Sequence, residues 1–148
     1  MNCRDVMTPT PSCCVPDDIV VEAARLMKNQ NVGSVPVVAD RDDHRLVGMV
    51  TDRDLALRVI AEGRDPHDTA VRDVMTTRPV SCRESDIYQQ ALQAMAVHQL
   101  RRIPVVDEQG RLAGIIAQAD VATRIAQLST TGAVVEAISD PNSHTPPQ

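Results

Sequence analysis

The sequence predicts an α/β protein made of two copies of one β-α-β-β-α unit, related by a pseudo-twofold and packed into a single module. Three observations carry this. First, Arg4-Asp5-Val6-Met7-Thr8 returns as Arg72-Asp73-Val74-Met75-Thr76, at an offset of 68 residues. Second, Val35-Pro36-Val37-Val38 returns at the same offset as Ile103-Pro104-Val105-Val106, and positions 4–38 share 14 identities in 35 with positions 72–106. Third, after a two-residue slip the register resumes at offset 66, with Gly48 against Gly114 and Asp54 against Asp120. A repeat of this length is one supersecondary unit that cannot bury its apolar face alone, so the two copies must pack together and enclose two equivalent clefts.

Each copy justifies its elements in the same order. A short leading segment (Cys3–Met7, Val71–Met75) enters a Pro-punctuated extended stretch near Ser12–Val15 and Val80–Arg83. Asp17-Asp18 and Ser85-Asp86 then offer N-cap residues. The helix that follows sets Ile19, Ala23 and Met27 on one stripe, and Ile87, Ala91 and Met95 repeat it. Two hairpin strands come next, Ser34–Ala39 with Leu46–Thr51, then Arg102–Asp107 with Leu112–Ala117. The connection from Val106 to Arg111, through Asp107-Glu108-Gln109-Gly110, is two residues shorter than that from Val38 to Arg45, which contains Asp40–His44, and this accounts for the slip. A last helix carries Leu55 and Val59, matched by Val121 and Ile125. The expected boundaries are repeat 1 at 1–62, a polar linker at 63–70, repeat 2 at 71–128 and a tail at 129–148. In that tail Ala133–Ile138 could add a helical turn, while the Pro-rich end reads as disordered.

Composition excludes several functions. Tyr88 is the one aromatic residue of the 148, so the core is aliphatic and there is no stacking platform for single-stranded nucleic acid. A net charge of −5 without a basic run argues against a duplex-binding surface. No apolar run approaches a membrane span, and the beginning of the chain lacks a signal-peptide core, so the expected location is cytoplasmic. Cys3, Cys13, Cys14 and Cys82 contain no C-x-x-C pair and read as small buried residues rather than metal ligands, with a redox sensor at Cys13-Cys14 as a minor alternative. His44, His67, His98 and His144 have no nucleophile or paired acid at recognisable spacing, so no catalytic residues and no metal site are assigned.

Chemistry concentrates in the segment that follows each hairpin. Gly48-Met49-Val50-Thr51-Asp52-Arg53-Asp54 returns as Gly114-Ile115-Ile116-Ala117-Gln118-Ala119-Asp120, losing the hydroxyl and keeping the acid. This duplicated pattern, a hydrophobic-Pro-Val-Val strand followed by Gly-x-x-[Thr/Ser]-x-x-Asp, resembles a tandem CBS domain pair, the regulatory module named after cystathionine β-synthase. The resemblance spans roughly residues 1–128. It implies adenine-containing ligands bound in the clefts between the repeats, a sensing role, and homodimers formed through helices.

The resemblance also distributes roles. Thr51 and Asp54 match the family's ribose segment, where a carboxylate accepts hydrogen bonds from vicinal sugar hydroxyls. Thr51 with an acid three residues on also fits a capping box, but the second repeat keeps the acid without the hydroxyl, which favours a ligand role for Asp54 and Asp120 over capping alone. Arg101-Arg102, beside Leu100, occupy positions where the family often carries phosphate-contacting basic residues; the pseudo-twofold would face their strand to the Asp54 cleft, and because neighbours on a strand point to opposite faces, at most one would aim inward. The Asp120 cleft would then have Val32, Gly33 and Ser34 beside it, with Arg53 as its cation. The resulting reading is a non-enzymatic regulatory module with no required cofactor, binding AMP, ADP, ATP, NAD or S-adenosylmethionine and signalling to an unidentified effector protein. Its alternative is an assembly module with vestigial clefts.

Overall fold

Local sequence explains most of the elements. The structure, a computed structural model, describes residues 1–129; the expectations for Ala133–Ile138 and the rest of the tail beyond Ser129 lie outside the described residues. A four-residue helix α1 (Cys3–Val6) and a two-residue strand β1 (Thr8–Pro9) precede α2 (Val20–Gln30), β2 (Ser34–Val38) and β3 (Leu46–Thr51). A helical turn α3 (Asp52–Leu55) continues without a break as a π-helical segment, 56–60. The second repeat runs through a 3₁₀ turn at Val71–Asp73, β4 (Thr76–Thr77), β5 (Cys82–Arg83), α4 (Tyr88–His98), β6 (Arg102–Val106), β7 (Leu112–Ala117) and α5 (Gln118–Ser129). Both long helices end on a left-handed residue at equivalent positions, Asn31 (φ 55°) and Gln99 (φ 56°).

The expected N-caps are corrected. Helix α2 is preceded by Ile19 and α4 by Ile87, neither with a side-chain cap. The carboxylates of Asp18 and Asp86 instead close the preceding turn, accepting from the N–H of Val15 (3.0 Å) and Arg83 (2.9 Å). A short acidic side chain that bonds backbone three residues back competes with capping, and here the turn wins. The buried stripe moves with it. Val20, Ala23 and Met27 line the first core, Ala91 and Met95 the second, while Ile87 is half exposed.

What the repeat pattern does not reveal is an exchange between its two copies. Strand β1 of the first repeat pairs antiparallel with β7 of the second, in the sheet β1-β7-β6-β5. Strand β4 of the second repeat pairs antiparallel with β3 of the first, in the sheet β2-β3-β4, which Cys14 extends by a single parallel bridge to Val37. The helical turns follow their strands. Cys3, Val6 and Met7 are buried with Cys82, Met95, Ile103 and Ile116, whereas Val71 and Val74 are buried with Cys14, Val20, Val35 and Val59. Matched backbone bonds anchor them: Cys3 N–H to Asp86 O and Val71 N–H to Asp18 O, each 2.8 Å.

Gly48 and Gly114 are what allow the crossing. A Cβ at Gly48 would stand 2.9 Å from Thr76 O, and one at Gly114 would stand 2.8 Å from Thr8 O, with a methionine sulfur (Met75, Met7) against each. The methionines can rotate away; the carbonyls are held by sheet pairing. Gly114→Ala and Gly48→Ala should therefore each lower unfolding free energy in urea by about 1–3 kcal/mol, the range for overpacking a closed site. A loss under about 0.5 kcal/mol would mean that the crossing strand yields, and that the glycines are not required for it.

Candidate functional site

The two hairpins meet at both ends. At their turns Leu46 N–H donates to Gly110 O (3.0 Å) and Leu112 N–H donates to His44 O (2.7 Å). At the opposite ends lie the strand starts and strand exits: Ser34 pairs with Thr51 and Arg102 with Ala117. Arg102 Nη1 crosses between the repeats to donate to Ser34 O (2.8 Å). The duplicated Gly-x-x-x-x-x-Asp segments leave the sheets here, so the residues singled out in the sequence occupy the strand ends and first helical turns that follow them.

Thr51 and Asp54 form the capping box. Asp54 N–H donates to Thr51 Oγ1 and Thr51 N–H donates to Asp54 Oδ2, both at 3.0 Å. Asp54 is 9% exposed, which is low for an acid. Its second oxygen, Oδ1, lies 3.8 Å from Arg58 Nε. The cap thus engages one carboxylate oxygen through a single backbone donor, and a carboxylate has about four lone-pair sites. Capping and hydroxyl binding are compatible on this side chain. Asp120 differs: it is solvent exposed and follows Ala117, which has no side-chain oxygen with which to cap.

The arginines do not behave as a pair. Arg101 is exposed, and its carbonyl accepts from Gln118 N–H (2.9 Å). Arg102 is partly buried and committed to Ser34 O. Burial draws the Arg102 guanidinium below its ordinary pKa, and the nearby Asp120 carboxylate opposes that shift. Of the two, Arg102 is the one held across the repeats, on Ser34 O and within electrostatic reach of the Asp120 carboxylate. Neighbouring residues on a strand point to opposite faces, which separates the two side chains. Val32 and Leu100 pack against opposite cores. Gly33 accepts from Asp52 N–H (2.9 Å), and Arg53 is exposed with its N–H on Asp52 Oδ1 (2.8 Å).

Two residues near the site were not singled out in the sequence. A Cβ at Gly33 would stand 3.0 Å from the Asp52 carboxylate, which puts an acid next to the strand start. Arg58, besides facing Asp54, donates to Val74 O (3.1 Å) and so ties the site to the leading segment of the other repeat. The i,i+4 spacing of Asp54 and Arg58 was a readable signal for that pair. Asp52 gave none, because its counterpart in the second repeat is Gln118.

Two cavities lie away from these residues. One, of about 310 Å³, is apolar and is lined by Val20, Ala24, Leu55, Val59, Ile60 and Pro66 among others. The other, of about 520 Å³, is polar and borders Arg83, Asp86 and Asp107. Among the described residues no three His, Cys, Asp or Glu side chains gather closely enough to hold a metal ion, and no described helix is long and apolar enough to cross a membrane.

Comparison with known proteins agrees with this architecture. The CBS domain model matches residues 3–61 and 71–127. The chain is 43% identical over 141 residues to the CBS domain-containing protein YhcV of Bacillus subtilis, covering 95% of this chain and 97% of that one. The crystal structure of hypoxic response protein I, which holds two coordinated zinc ions, superposes with a TM-score of 0.75 at 32% identity, over 83% of this chain and 98% of that one. CBSX2, a CBS-pair protein of Arabidopsis thaliana crystallised in complex with AMP, superposes with a TM-score of 0.72 at 29% identity, over 86% of this chain and 98% of that one. With the match running through both repeats, and with the hairpins, exits and crossings duplicated about the pseudo-twofold, the chain belongs to the CBS-domain family and carries a tandem pair of CBS repeats.

Proposed function

We propose that the protein is a regulatory sensor that binds an adenosine-type nucleotide between its CBS repeats and signals occupancy to a partner protein, without catalysis and without a required cofactor. The observation that supports this most is the convergence at the strand ends: Arg102 spans from one repeat to Ser34 of the other, beside Asp120, while Thr51 holds Asp54 in place. A ligand lodged at that junction touches both repeats, so its binding energy acts on their relative packing. The AMP bound to the related CBSX2 supports this choice of ligand class. Asp54 and Asp120 would receive ribose hydroxyls, the aliphatic strands would bury adenine, and Arg101 with Arg53 would meet phosphate. Four free cysteines suit a cytoplasmic setting.

The same reading includes a homodimer. Ile60 is 75% exposed and Leu57 47% exposed on the helix after the first hairpin, next to the apolar groove. Side chains of that size left in water on one face fit a second copy better than solvent. The alternative of an assembly module draws on the capping box, which gives Asp54 a structural role without any ligand.

Three experiments test these statements. Asp54→Asn keeps an oxygen for the Thr51 N–H but removes the charge, so stability should hold while affinity for AMP falls at least tenfold by calorimetry. Thr51→Ala is its complement: it should cost about 0.5–2 kcal/mol of stability through the lost cap. If Asp54→Asn binds AMP as the parent does, the acid is a cap and the assembly reading stands. Replacing Arg101 and Arg102 together with alanine should lower the ratio of AMP to adenosine affinity, and added salt should mimic it, because screening weakens phosphate contacts more than adenine burial. An unchanged ratio would place both guanidiniums outside phosphate reach. Finally, light scattering at micromolar concentration should report a dimer for the parent and a monomer for Ile60→Glu; a monomeric parent would rule out assembly through this face.

A further inference from the structure

Arg102 and Ser34 stand 68 residues apart, so they hold the same position in the two repeats. Each opens the first strand of its hairpin, Ser34 opposite Thr51 and Arg102 opposite Ala117. The pseudo-twofold would give two matching arms across the junction, each running from one of these side chains to the backbone of the other residue. The sequence makes them unequal. The arm of Arg102 reaches Ser34 O through Nη1 (2.8 Å), whereas the arm of Ser34 is a hydroxymethyl group, several bonds shorter. The long arm lies on the Asp120 side. Ala117, its partner in the sheet, ends β7, and Asp120 follows in the first turn of α5. The Asp120 carboxylate steadies the charge that partial burial disfavours on the guanidinium. A nucleoside presents donors of its own, the adenine amino group and the vicinal hydroxyls, which suit a carbonyl and a carboxylate. A guanidinium presents the same kind of donor in a fixed fork and adds a charge. Arg102 thus already holds a carbonyl, and neighbours a carboxylate, of the cleft that a nucleoside would enter beside Asp120. Beside Asp54 the same place falls to the short Ser34, and Asp54 Oδ1 lies outside the Thr51 cap.

We propose that Arg102 is an internal competitor for ligand in the Asp120 cleft, so that nucleotide fills the Asp54 cleft first and the Asp120 cleft only when the guanidinium swings away. This rests on the reading of both clefts as adenosine sites. A cleft that its own arm leaves open a tenth of the time binds about tenfold more weakly than one that is always open. The two clefts therefore answer to different ligand concentrations. The second binding event must also break the bond from Arg102 to Ser34, which joins the repeats. Filling the Asp120 cleft releases a contact between the repeats that filling the Asp54 cleft leaves intact, and only the second event loosens the junction in this way.

The test is calorimetry of AMP on the full chain, with Arg102→Ala and the uncharged Arg102→Gln as separate variants, each first melted without ligand to show that it folds. The parent should bind one AMP per chain, with any second event at least about tenfold weaker. Either variant should bind two, the second tightened by at least about the same factor. Adding Asp120→Asn to Arg102→Ala should abolish that gain. Two events of equal affinity in the parent, no gain in a folded variant, or a gain that survives Asp120→Asn would each overturn the proposal. A fall in AMP affinity in place of a gain would make Arg102 a phosphate contact and overturn it as well. A parent that binds no AMP, beside an Arg102→Ala variant that binds one, would instead sink the assignment of Asp54 and leave the competition by Arg102 standing.

Discussion

The close approach of a backbone to a glycine holds this structure together. At Gly48 and Gly114 a strand from the other repeat passes so near that a methyl group would meet its carbonyl. Because the crossing runs both ways, neither sheet is complete without the leading segment of the opposite repeat. The cores divide the same way, one taking Cys3, Val6 and Met7 from the far repeat and the other taking Val71 and Val74. A unit of some sixty residues buries a smaller share of its surface than a larger domain and is only marginally stable by itself. Exchange turns two insufficient cores into one cooperative module, and it makes the geometry between the repeats part of the fold rather than a docking of finished domains.

That dependence gives the junction its leverage. Arg102 bonds the backbone of Ser34 across the pseudo-twofold, and Arg58 runs from Asp54 to the carbonyl of Val74. Side chains at the junction thus report on both repeats at once. The two halves are not equivalent there. Asp54 is clamped by the Thr51 cap and is nearly buried, whereas Asp120 follows an alanine and faces solvent. The helix after the first hairpin widens into a π-turn, with Ala61 N–H reaching Ala56 O and Arg64 N–H reaching Val59 O, both at 2.9 Å. The equivalent helix of the second repeat is regular. Such turns are frequent near functional sites, and this one directs Ile60 outward while keeping Val59 in the core.

The cysteines show how placement overrides composition. As residue types all four are small hydrophobes, and the equivalence of Cys14 with Cys82 suggests equal roles. Their partners differ, because the leading segment that covers Cys82 contributes Cys3, while the one that covers Cys14 contributes Val71. One core therefore encloses two thiols, and the other a thiol with an isopropyl group at the matching position.

Duplication made the repeat, the hairpins and the long helices readable, since two noisy copies of a period-2 or period-3.6 pattern corroborate each other. Strands Leu46–Thr51 and Leu112–Ala117 span the residues that the duplicated apolar runs predict. Thr51 and Asp54 were likewise legible as a pair, because a capping box is a local pattern with a fixed spacing. Which sheet a leading strand joins is not local: Thr8-Pro9 has the same sequence whether it pairs at home or across the module. The aim of Arg102 depends on where Ser34 of the other repeat lies, and the burial of Cys3 in the same core as Cys82 depends on the exchange that brings α1 to β5. Local periodicity and spacing determined the elements and the candidate acids by sequence alone. Contacts between residues distant along the chain are governed by how the repeats pack, and only the tertiary structure decided those.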